Sequence, residues 1–292
     1  MRTSNSNAHR FLGVELSGAK NTKTAIAAIE FYPRERKTFL LDIYDRVSPL
    51  SDESGDEALL NLVRELQSQA RALAINVPAT LPPCITCTRK KCPLPAHCSV
   101  PEVKWMREQS RKALRTSPNK NIDFTPYTQR PVELWARHHL LPTLADSRGM
   151  EVDEALGGNR APLTARLAFL SRHLGDLPIL EVWPKWSVAL LASRLGLHRR
   201  LLSSYRKLEE GVQARTQILE ALIECADVFI YERDLKTLAQ SLPAFDSFVC
   251  AYTALLHDQG LCVPPPKGFP KASGWLTLPQ VKKLTFSKRE DK

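Results

Sequence analysis

The order of elements in the first 77 residues constrains this chain more than any other feature. Three β-rich runs come first: Arg10 to Leu16 (RFLGVEL), Thr24 to Phe31 (TAIAAIEF) and Thr38 to Tyr44 (TFLLDIY). A turn containing Gly18 and Asn21 separates the first two, which fits a hairpin with the third strand beside it. Ser54, followed three residues later by Glu57, has the form of a capping box and opens a helix. Leu59, Val63, Leu66 and Ala70 then recur at spacings of four, three and four, which is one helical face. Leu73 to Val77 (LAINV) reads as a short buried strand, stopped by Pro78. Strands and a helix interleaved in this way predict an α/β fold.

Pro82 to Lys120 interrupts the alternation. Ser99 and Glu102 suggest a second capping box, with Pro101 suited to the first turn of the helix that follows. Further helices are predicted over Arg130 to Leu141 and Asn159 to Leu174. Ile179 to Trp183 (ILEVW) is a fifth strand candidate, and helices then dominate to His257, ending in Ala244 to His257 with Asp246 in its first turn. Gly274 to Pro279 (GWLTLP) reads as a closing strand after the Pro264 to Pro266 loop. With 292 residues, 43% of them hydrophobic, the chain can build one large core. No stretch approaches the roughly 20 apolar residues of a membrane span. Met1 to Arg10 is polar and has no apolar h-region, so no signal peptide, no membrane association and a cytoplasmic location are expected.

Cys84, Cys87, Cys92 and Cys98 form C-x2-C-x4-C-x5-C, with His97 as a further donor. Thiolates at such spacing can surround one ion. Zinc is expected, with an iron–sulfur cluster as the alternative, since either accepts all-thiolate ligation. Four protein ligands leave no open position, so the role expected is structural: folding a loop that presents Arg89, Lys90 and Lys91. Behind it, Lys104, Arg107, Arg111 and Arg115 fall on one helical face. Between Pro83 and Lys120 nine basic residues face two acidic ones, so this segment carries +7 of the chain's +10. Such a concentration suits a polyanion, and nucleic acid is the expected partner. The remaining cysteines, Cys225, Cys250 and Cys262, read as small buried apolar residues. Trp183 and Trp186 read as core packing in preference to base stacking.

Two acids, Glu15 and Glu181, lie inside short apolar strands, where burial is costly without a partner. Several stretches resemble one family, domain of unknown function 429, described as predicted nucleases of ribonuclease H-like fold. They are Gly13-Val14-Glu15-Leu16-Ser17-Gly18, Ala74-Ile75-Asn76-Val77-Pro78, Gly158-Asn159-Arg160-Ala161-Pro162 and Glu181-Val182-Trp183-Pro184. Tyr205-Arg206-Lys207 with Gly211 and Arg215, Phe245-Asp246-Ser247-Phe248, and Gly274-Trp275-Leu276-Thr277-Leu278-Pro279 complete the ordered set. The family pattern has Asp where this chain has Glu15 and Asn76, and it lacks the cysteine-rich segment. The resemblance implies a ribonuclease H-like mixed sheet flanked by helices over residues 8–284, with a cysteine-rich basic insertion at 82–120.

It also implies a metal-dependent nuclease hydrolysing phosphodiester bonds of DNA or RNA. Glu15, Glu181 and Asp246, assisted by Asn76, would ligate Mg or Mn, and Lys20 with the basic helix would hold phosphates. The alternative is a catalytically silent nucleic-acid-binding protein of the same fold, favoured by the missing charge at Asn76. Gly13 to Gly18, followed by Thr22 to Ala25, also loosely resembles the first phosphate loop of sugar kinases, but no duplicated half accompanies it.

Overall fold

The computed structural model describes residues 8–18, 23–50, 52–116, 124–144, 150–198, 200–226 and 228–280, without the side chains of 113–116. It is an α/β structure built on a seven-stranded mixed sheet flanked by helices, a layout consistent with the general ribonuclease H-like arrangement. The strands are β1 (His9–Glu15), β2 (Ala25–Tyr32), β3 (Lys37–Tyr44), β4 (Ala70–Ile75), β5 (Ile179–Val182), β6 (Val228–Phe229) and β7 (Leu276–Thr277). Their order across the sheet is β6-β3-β2-β1-β4-β5-β7. The first three form an antiparallel meander. β4 pairs parallel to β1, and β5 parallel to β4. Among the described residues, no helix is long and apolar enough to cross a membrane.

The helices, in chain order, are α1 (Gly55–Leu66), α2 (Leu94–His97), α3 (Pro101–Thr116), α4 (Pro131–Trp135), α5 (Arg160–Leu170), α6 (Pro184–Arg194), α7 (Arg200–Ser204), α8 (Glu210–Ala226), α9 (Glu232–Gln240) and α10 (Leu242–Asp258). The Ser54–Glu57 capping box starts α1 as expected. Helix α3 starts at Pro101, one residue later than a Ser99 cap requires, and Ser99 Oγ instead accepts a hydrogen bond from Arg89 Nη2 at 2.9 Å. The predicted helix over Arg130 to Leu141 is broken into α4, a π-helical turn (Ala136–Leu140) and a 3-10 turn (Leu141–Leu144). Helix α10 also begins earlier than expected, because Ser241 Oγ caps it by accepting from Ala244 N and Pro243 suits its first turn. Asp246 therefore lies two residues further in, in the second turn.

The chain divides into two compact units. The sheet unit contains the described residues up to Asn76, then Leu170–Val263 and those from Thr277. The cysteine-bearing unit is Val77–Phe169 with Pro264–Leu276. It is wider than the 82–120 segment, because that segment packs on its own surroundings: Cys84 N donates to Pro126 O at 3.0 Å, and the Trp105 and Phe269 rings meet edge-on at 5.1 Å.

In the sheet unit, Phe11, Ala72, Ala74 and Val182 face a core made with Phe245, Phe248, Val249 and Tyr252 of α10. This burial supplies the main stabilisation of the unit, since apolar area removed from water is worth roughly 25 cal/mol per Å². Gly13 is what allows α10 to lie so close to β1. A Cβ there would overlap the Ser247 carbonyl oxygen and the Ala251 nitrogen, and it would stand 3.0 Å from Ala251 Cα.

Candidate active site

Side chains alternate across a strand, so register decides which acids share a face. Phe11 pairs with Ala72 and Gly13 with Ala74, which puts Glu15 and Asn76 next in line on the α10 face. Their side chains meet: Asn76 Nδ2 donates to Glu15 Oε2 at 2.5 Å. Asp246 reaches the same region from α10. It is 1% exposed and accepts a hydrogen bond from Arg206 Nη1 at 2.6 Å. Glu15 and Asp246 both line a cavity of about 560 Å³ in the sheet unit.

Glu181 does not join them. It precedes Val182, which faces the α10 core, and it is in register with Ile75, so its side chain leaves the opposite face of the sheet. There it is buried, and its Oε1 accepts from Trp183 Nε1 at 3.0 Å. Trp183 and Trp186 are themselves buried, with ring centroids 6.2 Å apart, so they serve packing.

Three acids (Glu15, Asp45 and Asp246) and five bases (Lys23, Arg46, Arg206, Lys207 and Arg215) line the cavity. Lys23 and Arg46 come from the loops after β1 and β3, Arg206 and Lys207 from the segment between α7 and α8, and Arg215 from α8 itself. Sequence reasoning gave none of them a role, although Tyr205-Arg206-Lys207, Gly211 and Arg215 stood among the motif stretches.

Their arrangement has a local cause. Arg215 is 1% exposed, and from α8 it holds two other segments of the chain together. Its Nε donates to Ala239 O at 2.7 Å, and its Nη1 donates to the Tyr205 carbonyl. Gly211 leaves room for this contact, since a Cβ there would come 2.6 Å from Arg215 Nη1 and 2.8 Å from Tyr205 O. The turn is thereby fixed with Arg206 beside Asp246. Arg206 is also 3.3 Å from the Tyr205 hydroxyl and lies over that ring at 5.7 Å.

Charge follows from this packing. Burial raises the Tyr205 phenol far above its ordinary value; Asp246 and Glu15 add to the shift and Arg206 opposes it. Tyr205 is therefore a neutral hydroxyl at physiological pH. Burial works against the charge on Arg206, but Asp246, Tyr205 and Glu15 outweigh it and hold the guanidinium protonated. Beside the strand end, Ser17 N donates to Thr24 Oγ1 at 3.2 Å, which ties down the chain leaving β1.

In the other unit all four cysteines of the motif are free thiols: Cys98 is buried, Cys84 half-buried, and Cys87 and Cys92 are exposed. Burial raises the Cys84 thiol, and the neighbouring Cys98, Cys92 and Cys87 raise it further. Among the described residues, no three His, Cys, Asp or Glu side chains stand as a ready-made metal cage.

The basic residues expected to contact nucleic acid fall into three groups. Arg89, Lys90, Lys91, Lys104 and Arg111 are exposed. Arg107 is half-buried, and its Nη1 donates to Pro95 O at 2.8 Å and Cys98 O at 3.0 Å, so it braces the cysteine loop and is not a free cation of the helix face. Lys20 and the Arg115 side chain lie outside the described residues.

Comparison of the chain with family models, with curated proteins and with solved structures finds no match.

Proposed function

We propose that the sheet unit is a divalent-cation-dependent nuclease of ribonuclease H-like layout, acting on phosphodiester bonds of DNA or RNA. One observation carries the reading: two carboxylates from distant parts of the chain, Glu15 and Asp246, face a single cavity that is also lined by Asp45 and by five basic side chains. Two hard carboxylate donors suit one Mg or Mn ion. Glu181 leaves the other face of the sheet and Asn76 brings no charge, so the reading rests on one ion held by Glu15 and Asp246.

A bound ion of this kind would polarise a phosphoryl oxygen and make a coordinated water acidic. The chain's own residues do the rest. Arg206 is 40% exposed on its side chain, so a phosphate can compete with Asp246 for its guanidinium. Lys23, Arg46 and Lys207 add positive charge along the same cavity and would draw in a polyanion. Asn76 holds Glu15 by its amide, fixing the carboxylate that would meet the ion. In the cysteine-bearing unit, the exposed Arg89, Lys90, Lys91, Lys104 and Arg111 supply a second basic surface for nucleic acid.

The test is cleavage of labelled single- and double-stranded oligonucleotides by the full chain with Mg or Mn. Glu15→Gln and Asp246→Asn should each abolish divalent-dependent cleavage, and cleavage that persists in both removes the mechanism. A second reading, binding without catalysis, is favoured by the Arg206–Asp246 pair, which neutralises one of the two carboxylates. It predicts salt-dependent binding that survives Glu15→Gln, with no cleavage by the unaltered chain under any divalent ion.

A further inference from the structure

The cysteine loop has two anchored ends and an outer stretch that projects into solvent. At the first end, the Cys84 backbone N–H donates to Pro126 O at 3.0 Å, and Ile85 N donates to Pro82 O at 3.0 Å. At the second end, Cys98 is buried next to α2, and Arg107 grips the Pro95 and Cys98 carbonyls together from α3. Between them Cys87 and Cys92 are exposed. Arg89, which lies between those two, reaches Ser99 with its Nη2 at 2.9 Å and so draws the outer stretch toward the Cys98 end. Leu94 has φ of 63°, a left-handed conformation unfavourable for a residue with a side chain. Such a turn persists where its surroundings over-determine it.

The geometry points to a single zinc ion bound by Cys84, Cys87, Cys92 and Cys98, with Arg107 as the residue that sets the loop for it. Two fixed thiols, one from each end of the loop, supply half of a tetrahedral set. Closure of the outer stretch brings the exposed pair. Binding and closure are then one event, and the metal's affinity stabilises the closed loop. Zinc suits this loop better than an iron–sulfur cluster. Two of the four thiols are open to solvent, which gives a redox-active cluster little shelter, whereas zinc has no redox chemistry. Once closed, the loop would hold Arg89, Lys90 and Lys91 in one place, which links the ion to the basic surface above.

The experiment uses the full chain. Metal content is measured by elemental analysis after purification, and cobalt is then exchanged for the native ion. One zinc per chain is expected, and the cobalt form should show strong near-ultraviolet thiolate charge-transfer absorption with tetrahedral visible bands. Cys87→Ser and Cys92→Ser should lose the ion. Both side chains are exposed, so a circular dichroism spectrum matching the parent separates loss of a ligand from loss of fold. Cys225→Ser should keep the ion. Arg107→Ala should weaken zinc affinity by roughly 10–100-fold, as loss of a residue that orients ligands does. No stoichiometric metal, iron with sulfide in its place, or full zinc retention in Cys92→Ser would each overturn the proposal; unchanged affinity in Arg107→Ala would overturn the assignment of its role.

Discussion

Gly13→Ala adds one methyl group where the structure has no space for it. Both principal clashes are with backbone atoms of α10, the Ser247 carbonyl oxygen and the Ala251 nitrogen. A side chain can turn away from a new neighbour, but a helix backbone must move as a body. Restoring ordinary contact requires α10 to retreat from β1 by roughly 1 Å or more, a case of overpacking at the upper end of the usual range, about 3 kcal/mol. For a domain of this size each kcal/mol lowers the melting midpoint by roughly 2–4 °C, so a drop of about 6–12 °C is expected. The consequence extends to the site, because Glu15 lies two residues further along β1 and Asp246 is next to Ser247 on α10. The two carboxylates should move apart together with the elements that carry them. Urea and thermal unfolding followed by circular dichroism measure the stability. Gly18→Ala is the control: among the described residues nothing lies within 4 Å of a Cβ at that position, so a near-neutral effect is expected. If Gly13→Ala unfolds within about 0.5 kcal/mol of the parent, an effect no larger than that of an ordinary surface substitution, the close seating of α10 on β1 is refuted.

Arg206→Ala removes the guanidinium that donates to the buried Asp246. Breaking a buried pair costs about 3–5 kcal/mol, but Arg206 is 40% exposed, and solvent screening reduces the expected loss to roughly 2 kcal/mol. Asp246→Asn in the Arg206→Ala background should recover part of that loss in a double-mutant cycle by urea unfolding. In the other unit, Arg130 and Glu133 are 1% and 0% exposed on their side chains, with Arg130 Nε donating to Glu133 Oε1 at 2.7 Å. Glu133→Ala should cost about 3–5 kcal/mol in the same assay, and Arg130→Met with Glu133→Leu should cost much less, because no charge is left stranded. At alkaline pH, burial pushes the Tyr252 phenol up to about 12, with Arg194 opposing. The unfolded chain releases that proton near pH 10 and the folded chain only near 12, so this contribution is intact below pH 10 and is lost as pH rises through 12. Tyr252→Phe should therefore flatten the fall of unfolding free energy across that range by about 2–3 kcal/mol.

The sequence reveals features that are set locally and hides those set by pairing at a distance. The strands β1 to β5 fall within a few residues of their expected positions because apolar runs bounded by turn residues are local signals. The Ser54–Glu57 cap is equally local. The face of Glu181 is not. An acid in a four-residue strand could point either way, and the answer comes from the register of β5 on β4, which nothing in ILEVW specifies. Glu15 and Asn76 meet for the same reason, through the pairing of β1 with β4. Arg206 escaped notice because its partner Asp246 is forty residues away and the link depends on Arg215 bridging two helix ends. Ser99 misled because its hydroxyl, a good cap in isolation, is claimed by Arg89. Arg107 looked like one more base on a helical stripe until the carbonyls of the cysteine loop filled its hydrogen-bonding positions.

The most direct measurement is titration of the full chain with Mn, followed by the fall in the free-ion paramagnetic resonance signal, in the parent, Glu15→Gln, Asp246→Asn and Glu181→Gln. One saturable site in the cavity of the sheet unit is expected, lost in the first two variants and kept in the third. Loss of the site in Glu181→Gln with its retention in Asp246→Asn would place the ion on the other face of the sheet and contradict the proposal.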